Sequence, residues 1–327
     1  MDKRIDKTRD IFEENFKVAK KAFVLNSNLE ASACAASFIG NPNPVSVKAM
    51  KEAKKILDDN ASLLSSVRSG NCRQVIVATL AQSSDPEYAI KQIKKIHKGL
   101  DKKFFDSDYL VLAATMIYRS CREADYERCI RRTREIFKLI RKDHPLATGS
   151  EDITACVIMA LTDIESEIIT RNAEDCFASL KKHFFGGNKI QYMANIAAVF
   201  GGDPDDKAEV IRKTYEMLKS EGVRFDSDAY GVIASVALLT RPEDLSDVVN
   251  RIKKLSDDMK SIRGMGAWGA GKRIRNILAS AIVLDAYTGG DMASRSSVIN
   301  SIITTIIAIE IAAVTAATTA AASSASH

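Results

Sequence analysis

Aromatic residues make up only 6% of this 327-residue chain, with one tryptophan, and there are just six prolines. So few prolines leave long stretches without a helix breaker, and the abundant Ala, Lys, Glu, Ile and Leu point to helix. The six cysteines, Cys34, Cys72, Cys121, Cys129, Cys156 and Cys176, form no C-x-x-C pair, and none of the four histidines stands at ligand spacing from one. That excludes the common zinc signatures; the thiols read as small hydrophobes in a reducing compartment, and neither metal nor cofactor is expected. G-x-S-x-G, H-E-x-x-H and the dinucleotide-binding glycine fingerprint are also missing, and no acid/base pair stands out. Distant segments can still assemble a catalytic site, so an enzyme is disfavoured rather than excluded. The start, Met1-Asp2-Lys3-Arg4-Ile5-Asp6, has no apolar run, so no secretory signal and a cytoplasmic location are expected.

Hydrophobic residues reach 46% and charged ones 27%, the composition of an ordinary globular protein. Length alone would suggest about two domains. A repeat replaces that estimate. The segment from Ala89 to Ile96 superposes on the one from Cys129 to Ile136 with a shift of 40 residues. Extended along the chain, the anchors are Ala53, Ile93, Thr133, Ala173, Thr214 and Ile252, at steps of 40, 40, 40, 41 and 38. Three residues beyond them stand Ile56, Ile96, Ile136, Cys176, Met217 and Leu255, the spacing of an amphipathic helix face.

Phe105-Asp106-Ser107-Asp108 recurs as Phe225-Asp226-Ser227-Asp228 ahead of two apolar runs, where Ser and Asp read as helix N-caps. Turn signals fall between helices at Asn41-Pro42-Asn43-Pro44, Ser84-Asp85-Pro86, Gly201-Gly202-Asp203-Pro204 and Arg241-Pro242. The expected fold is all-α: an α-solenoid of about six ~40-residue hairpins, each an apolar inner and an amphipathic outer helix, stacked right-handedly like HEAT repeats. It would occupy residues 1–290 as one helical-repeat domain, with 291–327 a separate hydrophobic segment. A non-repetitive helical bundle with chance periodicity is the alternative.

Two residues before the anchors come Lys51, Lys91, Arg131, Arg171 and Arg212, until Asn250 breaks the series. Two positions on a helix are a rotation of about 200°, so these cations should face away from the packed side. Stacked, they would form a ridge for an anionic partner, reinforced by Lys94, Lys95, Lys98, Arg128, Arg132, Arg134, Arg141 and Lys142. No aromatics interleave with them, which argues against base stacking, and Glu52, Glu135 and Glu174 leave open a merely solvated face. His97 and His183 sit among these lysines and should be exposed, while His144, before Pro145, reads as loop.

Gly266 to Lys272 matches G-x-x-x-x-G-K, but Arg273 replaces the Ser/Thr that a phosphate-binding loop needs and no strand precedes it. Gly266, Gly269, Gly271, Lys272 and Arg273 could still form a generic anion site at a helix start. Equally, the glycines allow a tight inter-helix loop, with Trp268 pinning it down.

From Ser297 to Ala322 there is one charge, Glu310, in 26 residues. Seven isoleucines at about −0.5 kcal/mol each are nearly cancelled by Glu310 at roughly +3, so a membrane span is marginal. Ile299, Ile302, Ile306 and Ile309 follow the 3-4-3 spacing of a helical seam, which suits self-association or docking; the β-branched content keeps a strand open.

Three stretches carry a family resemblance: Phe104 to Leu110, His144-Pro145-Leu146-Ala147-Thr148, and the glycine loop Gly264 to Arg273. With its isoleucine- and alanine-rich tail, the chain resembles the bacterial domain-of-unknown-function family number four thousand and three. The resemblance covers most of the chain and implies a cytoplasmic, all-helical protein; it carries no activity and no site residues. The expected function is an interaction or assembly scaffold whose partner is protein, first of all a second copy meeting it through the C-terminal segment. The alternatives are an anionic partner or nucleic acid on the cationic helices, and membrane contact through the tail.

Overall fold

A computed structural model describes residues 2–23, 27–60, 72–101, 107–144, 148–149 and 152–289. Those residues form fourteen α-helices and no strand. They are α1 (Asp2–Ala22), α2 (Asn28–Ala36), α3 (Val47–Asn60), α4 (Arg73–Ala81), α5 (Pro86–Asp101), α6 (Asp108–Ser120) and α7 (Tyr126–Asp143). After these come α8 (Asp152–Ala160), α9 (Ser166–Leu180), α10 (Gly187–Ala197), α11 (Pro204–Ser220), α12 (Tyr230–Leu239), α13 (Leu245–Asp258) and α14 (Gly271–Thr288).

The six anchors fall one each on α3, α5, α7, α9, α11 and α13, and all six are fully buried. A seventh pair, α1 and α2, precedes them. Its Phe12, 41 residues ahead of Ala53, is buried in the same way. Helices α4, α8 and α12 differ in kind: they are nine or ten residues long and nearly all apolar, and every residue of α8 is buried. A helix without a polar face is stable only when surrounded. Hydroxyls in these interiors turn back on their own helix. Thr133, Thr214 and Ser235 each donate to the carbonyl four residues earlier at 2.8 Å, which satisfies those three hydroxyls within their own helices.

The described chain divides into two compact units, each with its own core. In one, running from Lys91 to Ser246, helices two apart in sequence are neighbours: α6 with α8, α8 with α10, α10 with α12, and likewise α7 with α9 and α9 with α11. Each α7–α8, α9–α10 and α11–α12 pair packs together as well. The other unit joins the residues up to Ile90 with those from Asp247 onward. There α1 touches α2 and α3, α4 touches α2 and α3, and α1 also packs against α14.

Of the two expected caps, Ser107 holds, accepting from the Leu110 amide at 3.3 Å to open α6. Its repeat copy does not. Ser227–Ala229 wind into a 3-10 turn, α12 begins at Tyr230 without a side-chain cap, and Asp228 instead meets Lys189 at 2.9 Å.

Candidate functional site

Helix periodicity puts Lys51, Lys91, Arg131 and Arg171 on the exposed faces of α3, α5, α7 and α9, opposite their buried anchors. Among the described residues none of these four has a carboxylate within ion-pair distance. Arg212 on α11 differs, because it is half-buried and clamped by Glu209 at 2.8 Å and Glu216 at 2.6 Å. Two opposite charges leave it little field to offer a partner, and its own hydrogen bond holds the Glu209 carboxyl down to about 2.

Not every reinforcing cation faces out. Arg132 turns inward and donates to the carbonyls of Thr162 and Ile164, in the turn between α8 and α9. Arg128 reaches towards Asp125 and Asp163 at 3.9 and 3.8 Å, while Lys98, Arg141 and Lys142 are exposed. Gly99 lets α5 approach α7 closely, since a Cβ there would lie 2.8 Å from the Ile130 Cδ1. The positive excess is greatest on α7, with seven Lys or Arg (Arg128, Arg131, Arg132, Arg134, Lys138, Arg141, Lys142) against Glu127, Glu135 and Asp143. It ends at α9, where Arg171 stands against Glu167, Glu174 and Asp175.

The glycine loop folds on itself. The amides of Gly269, Ala270 and Gly271 donate to the carbonyls of Gly266, Gly264 and Gly266 at 3.0, 2.8 and 3.2 Å. Gly264 and Gly271 have φ of +99° and +81°, and a Cβ on Gly269 would lie 2.0 Å from the Gly264 carbonyl oxygen. Lys272 is exposed at the start of α14 and Arg273 half-buried. Trp268 corrects the expectation that it pins the loop, since it stands fully in solvent at 103% exposure. Met265 is the buried residue instead. Arg275, itself buried, holds it by donating to the Met265 carbonyl at 2.6 Å and the Ser256 carbonyl at 2.9 Å. An arginine directly after Ile274, the first buried isoleucine of α14, was the available signal for that staple.

His97 is a second correction. It is buried on α5 at 8% exposure, because it falls beside Ile96 on the packed face. His183 is exposed as expected. His144 follows the last turn of α7, and its Nε2 meets Glu174 Oε2 on α9 at 2.5 Å, with the Phe177 ring 4.9 Å away. Residues 30 apart in sequence meet there because α7 and α9 are neighbours. No group of three or more His, Cys, Asp or Glu among the described residues could hold a metal ion, and none of the described helices is long and apolar enough to cross a membrane. Ile299, Ile302, Ile306 and Ile309, with the whole 291–327 segment, lie outside the described residues.

No curated protein and no solved structure matches the chain. One family's sequence profile does match, over residues 15–312, which takes in the cationic helices, the glycine loop and most of the isoleucine-rich segment. The chain therefore belongs to the family described as Protein of unknown function (DUF4003).

Proposed function

We propose that this protein is an interaction scaffold, a HEAT-like solenoid of helical hairpins, that engages an acidic protein partner through the outer faces of α5 and α7. The observation that carries the reading is the state of Lys91 and Arg131, with Arg171 at the edge of the positive face: exposed, at equivalent positions, and with no carboxylate at ion-pair distance among the described residues. The contacts between helices two apart in sequence support the solenoid, because each hairpin then buries its apolar face against the next. A protein partner is favoured over single-stranded nucleic acid because one exposed aromatic on α5, Tyr88, is too little to stack a row of bases beside the cations. The direct test is binding of fluorescent polyglutamate and of a nucleic-acid oligomer at about 50 mM salt, where electrostatic affinity is greatest. Reversing Lys91, Arg131 and Arg171 to Glu should weaken polyglutamate binding about tenfold or more, since three contacts near 0.5 kcal/mol each total about 1.5 kcal/mol. Preference for the nucleic acid would move the reading to that partner class, and binding of neither would remove the surface.

Self-association through the C-terminal segment is a second reading, favoured by the single charge between Ser297 and Ala322. Left in water such a run would aggregate, so a second copy covering Ile299, Ile302, Ile306 and Ile309 accounts for it. Deletion after Asp291 should then lower the mass measured by light scattering. An unchanged mass would dock the segment within its own chain, and a need for detergent would place it at a membrane.

A further inference from the structure

Cys121 and Cys129 stand on either side of the turn that joins α6 to α7, eight residues apart. Cys121 closes α6, its amide donating to the Ile117 carbonyl at 3.0 Å, and its side chain is part-exposed. Cys129 lies in the first turns of α7 and is 1% exposed. Their Sγ atoms are 2.9 Å apart, inside the ~3.5–4.0 Å at which non-bonded atoms pack. An S–H···S hydrogen bond draws them together, and a further approach of about 0.9 Å would reach the ~2.05 Å of a disulfide.

The surroundings make the two sulfurs unequal. The Cys121 S–H, then Arg128 and Arg132, favour a thiolate at Cys129 and hold it below the ordinary thiol range, against burial and Asp125. The same hydrogen bond, with burial, pushes Cys121 up, so it stays the proton donor. At Cys34, Cys156 and Cys176 burial dominates instead, opposed at Cys176 by Lys207. Burial pushes Cys34 up to about 12, and it raises Cys156 and Cys176 as well.

We propose that Cys121 and Cys129 are a peroxide-reactive dithiol that closes reversibly into a disulfide. The Cys129 thiolate attacks one oxygen of hydrogen peroxide; an S–O bond forms, the O–O bond breaks, and the departing hydroxide takes a proton and leaves as water. Cys121 then attacks the resulting sulfenic acid. The S–S bond forms as the S–O bond breaks, and the second hydroxide leaves with the Cys121 proton as water. The two thiols lose two electrons and the peroxide becomes two waters. The product ties the C-terminus of α6 to the start of α7, next to Arg128, and this chemistry does not depend on what binds the cationic face.

The test treats the folded full-length protein with a modest excess of hydrogen peroxide, followed by denaturation, alkylation and tryptic mass mapping. Of the six thiols two should be lost, leaving four. Ser120-Cys121-Arg122 should be linked to Cys129-Ile130-Arg131, and dithiothreitol should restore both. The C121S variant should give no link and carry Cys129 on to the sulfinic acid. Six intact thiols in the treated wild type, or oxidation that leaves the two cysteines unlinked, would overturn the proposal, as would C121S products identical to wild type.

Discussion

Asp285 shows how one buried charge fixes a pH dependence. It sits on α14 at 3% side-chain exposure, with Arg4 the nearest cation at 3.9 Å, and its Oδ1 accepts no hydrogen bond. Burial pushes its carboxyl above the ordinary value, with Arg4 only partly opposing. The folded state therefore holds this proton more tightly than the unfolded chain. Its contribution to stability is complete below the unfolded value of about 3.9 and is lost as pH rises through the folded one. Asp285→Asn should abolish that slope and leave the protein at least as stable as wild type at neutral pH. Urea unfolding of both proteins from about pH 4 to 7 measures it; a variant less stable at neutral pH would mean that the Arg4 contact outweighs burial. Gly264→Ala is the steric counterpart. At φ +99°, with Asn28 Oδ1 2.9 Å and Phe16 Cζ 3.2 Å from the new Cβ, it should cost about 1–3 kcal/mol. Gly201→Ala, with open space around it, should be close to neutral by the same denaturation measurement. The glycine run announced a loop at once. Which glycine matters was not legible, because Asn28 and Phe16 come from the other end of the sequence.

At the scale of the helix, legibility followed wetness. Helices α3, α5, α7, α9, α11 and α13 keep one face in water, so polar residues mark the phase and the 40-residue step could be followed from Ala53 to Ile252. Helices such as α8 and α12 are buried on all sides, leaving composition but no period from which to read their packing. His97 was misread because a lysine-rich neighbourhood says nothing about which residue of the turn points inward; its place next to Ile96 did. Ends were readable where their chemistry is local. Asp203 accepts from the amides of Asp205 and Asp206 at 2.8 and 3.2 Å, and Pro204 opens α11 behind it. Asp203→Ala should therefore cost about 1 kcal/mol, within a range of roughly 0.5–2, while Asp203→Asn should recover most of it. The midpoint of chemical denaturation at constant slope checks both; equal stability of wild type and Asp203→Ala would show that proline alone starts the helix.

For the molecule as a whole, the repeat predicts which neighbours stack but not that the two ends of the described chain share a core. No local pattern encodes the meeting of α1 with α14, since the phase of each helix fixes a buried face without naming its partner. The physical link is specific. Phe12 and Phe16 stack at 6.3 Å beneath α1, Phe16 reaches the backbone of Gly264, and Arg4 donates to the Gly289 carbonyl at the far end of α14. Phe16 is 2% exposed, so Phe16→Ala removes a full aromatic side chain from this core and should cost about 3–5 kcal/mol. The loss should appear by native-state hydrogen exchange in α1, α2 and α14 together, although 248 residues of sequence separate the first from the last. Amides of α7, α9 and α11, which belong to the unit from Lys91 to Ser246, should keep their protection, because that unit has its own core. If α14 kept its protection while α1 lost it, the two ends would be touching without sharing stability, and the division of the chain into units would have to be redrawn at α1.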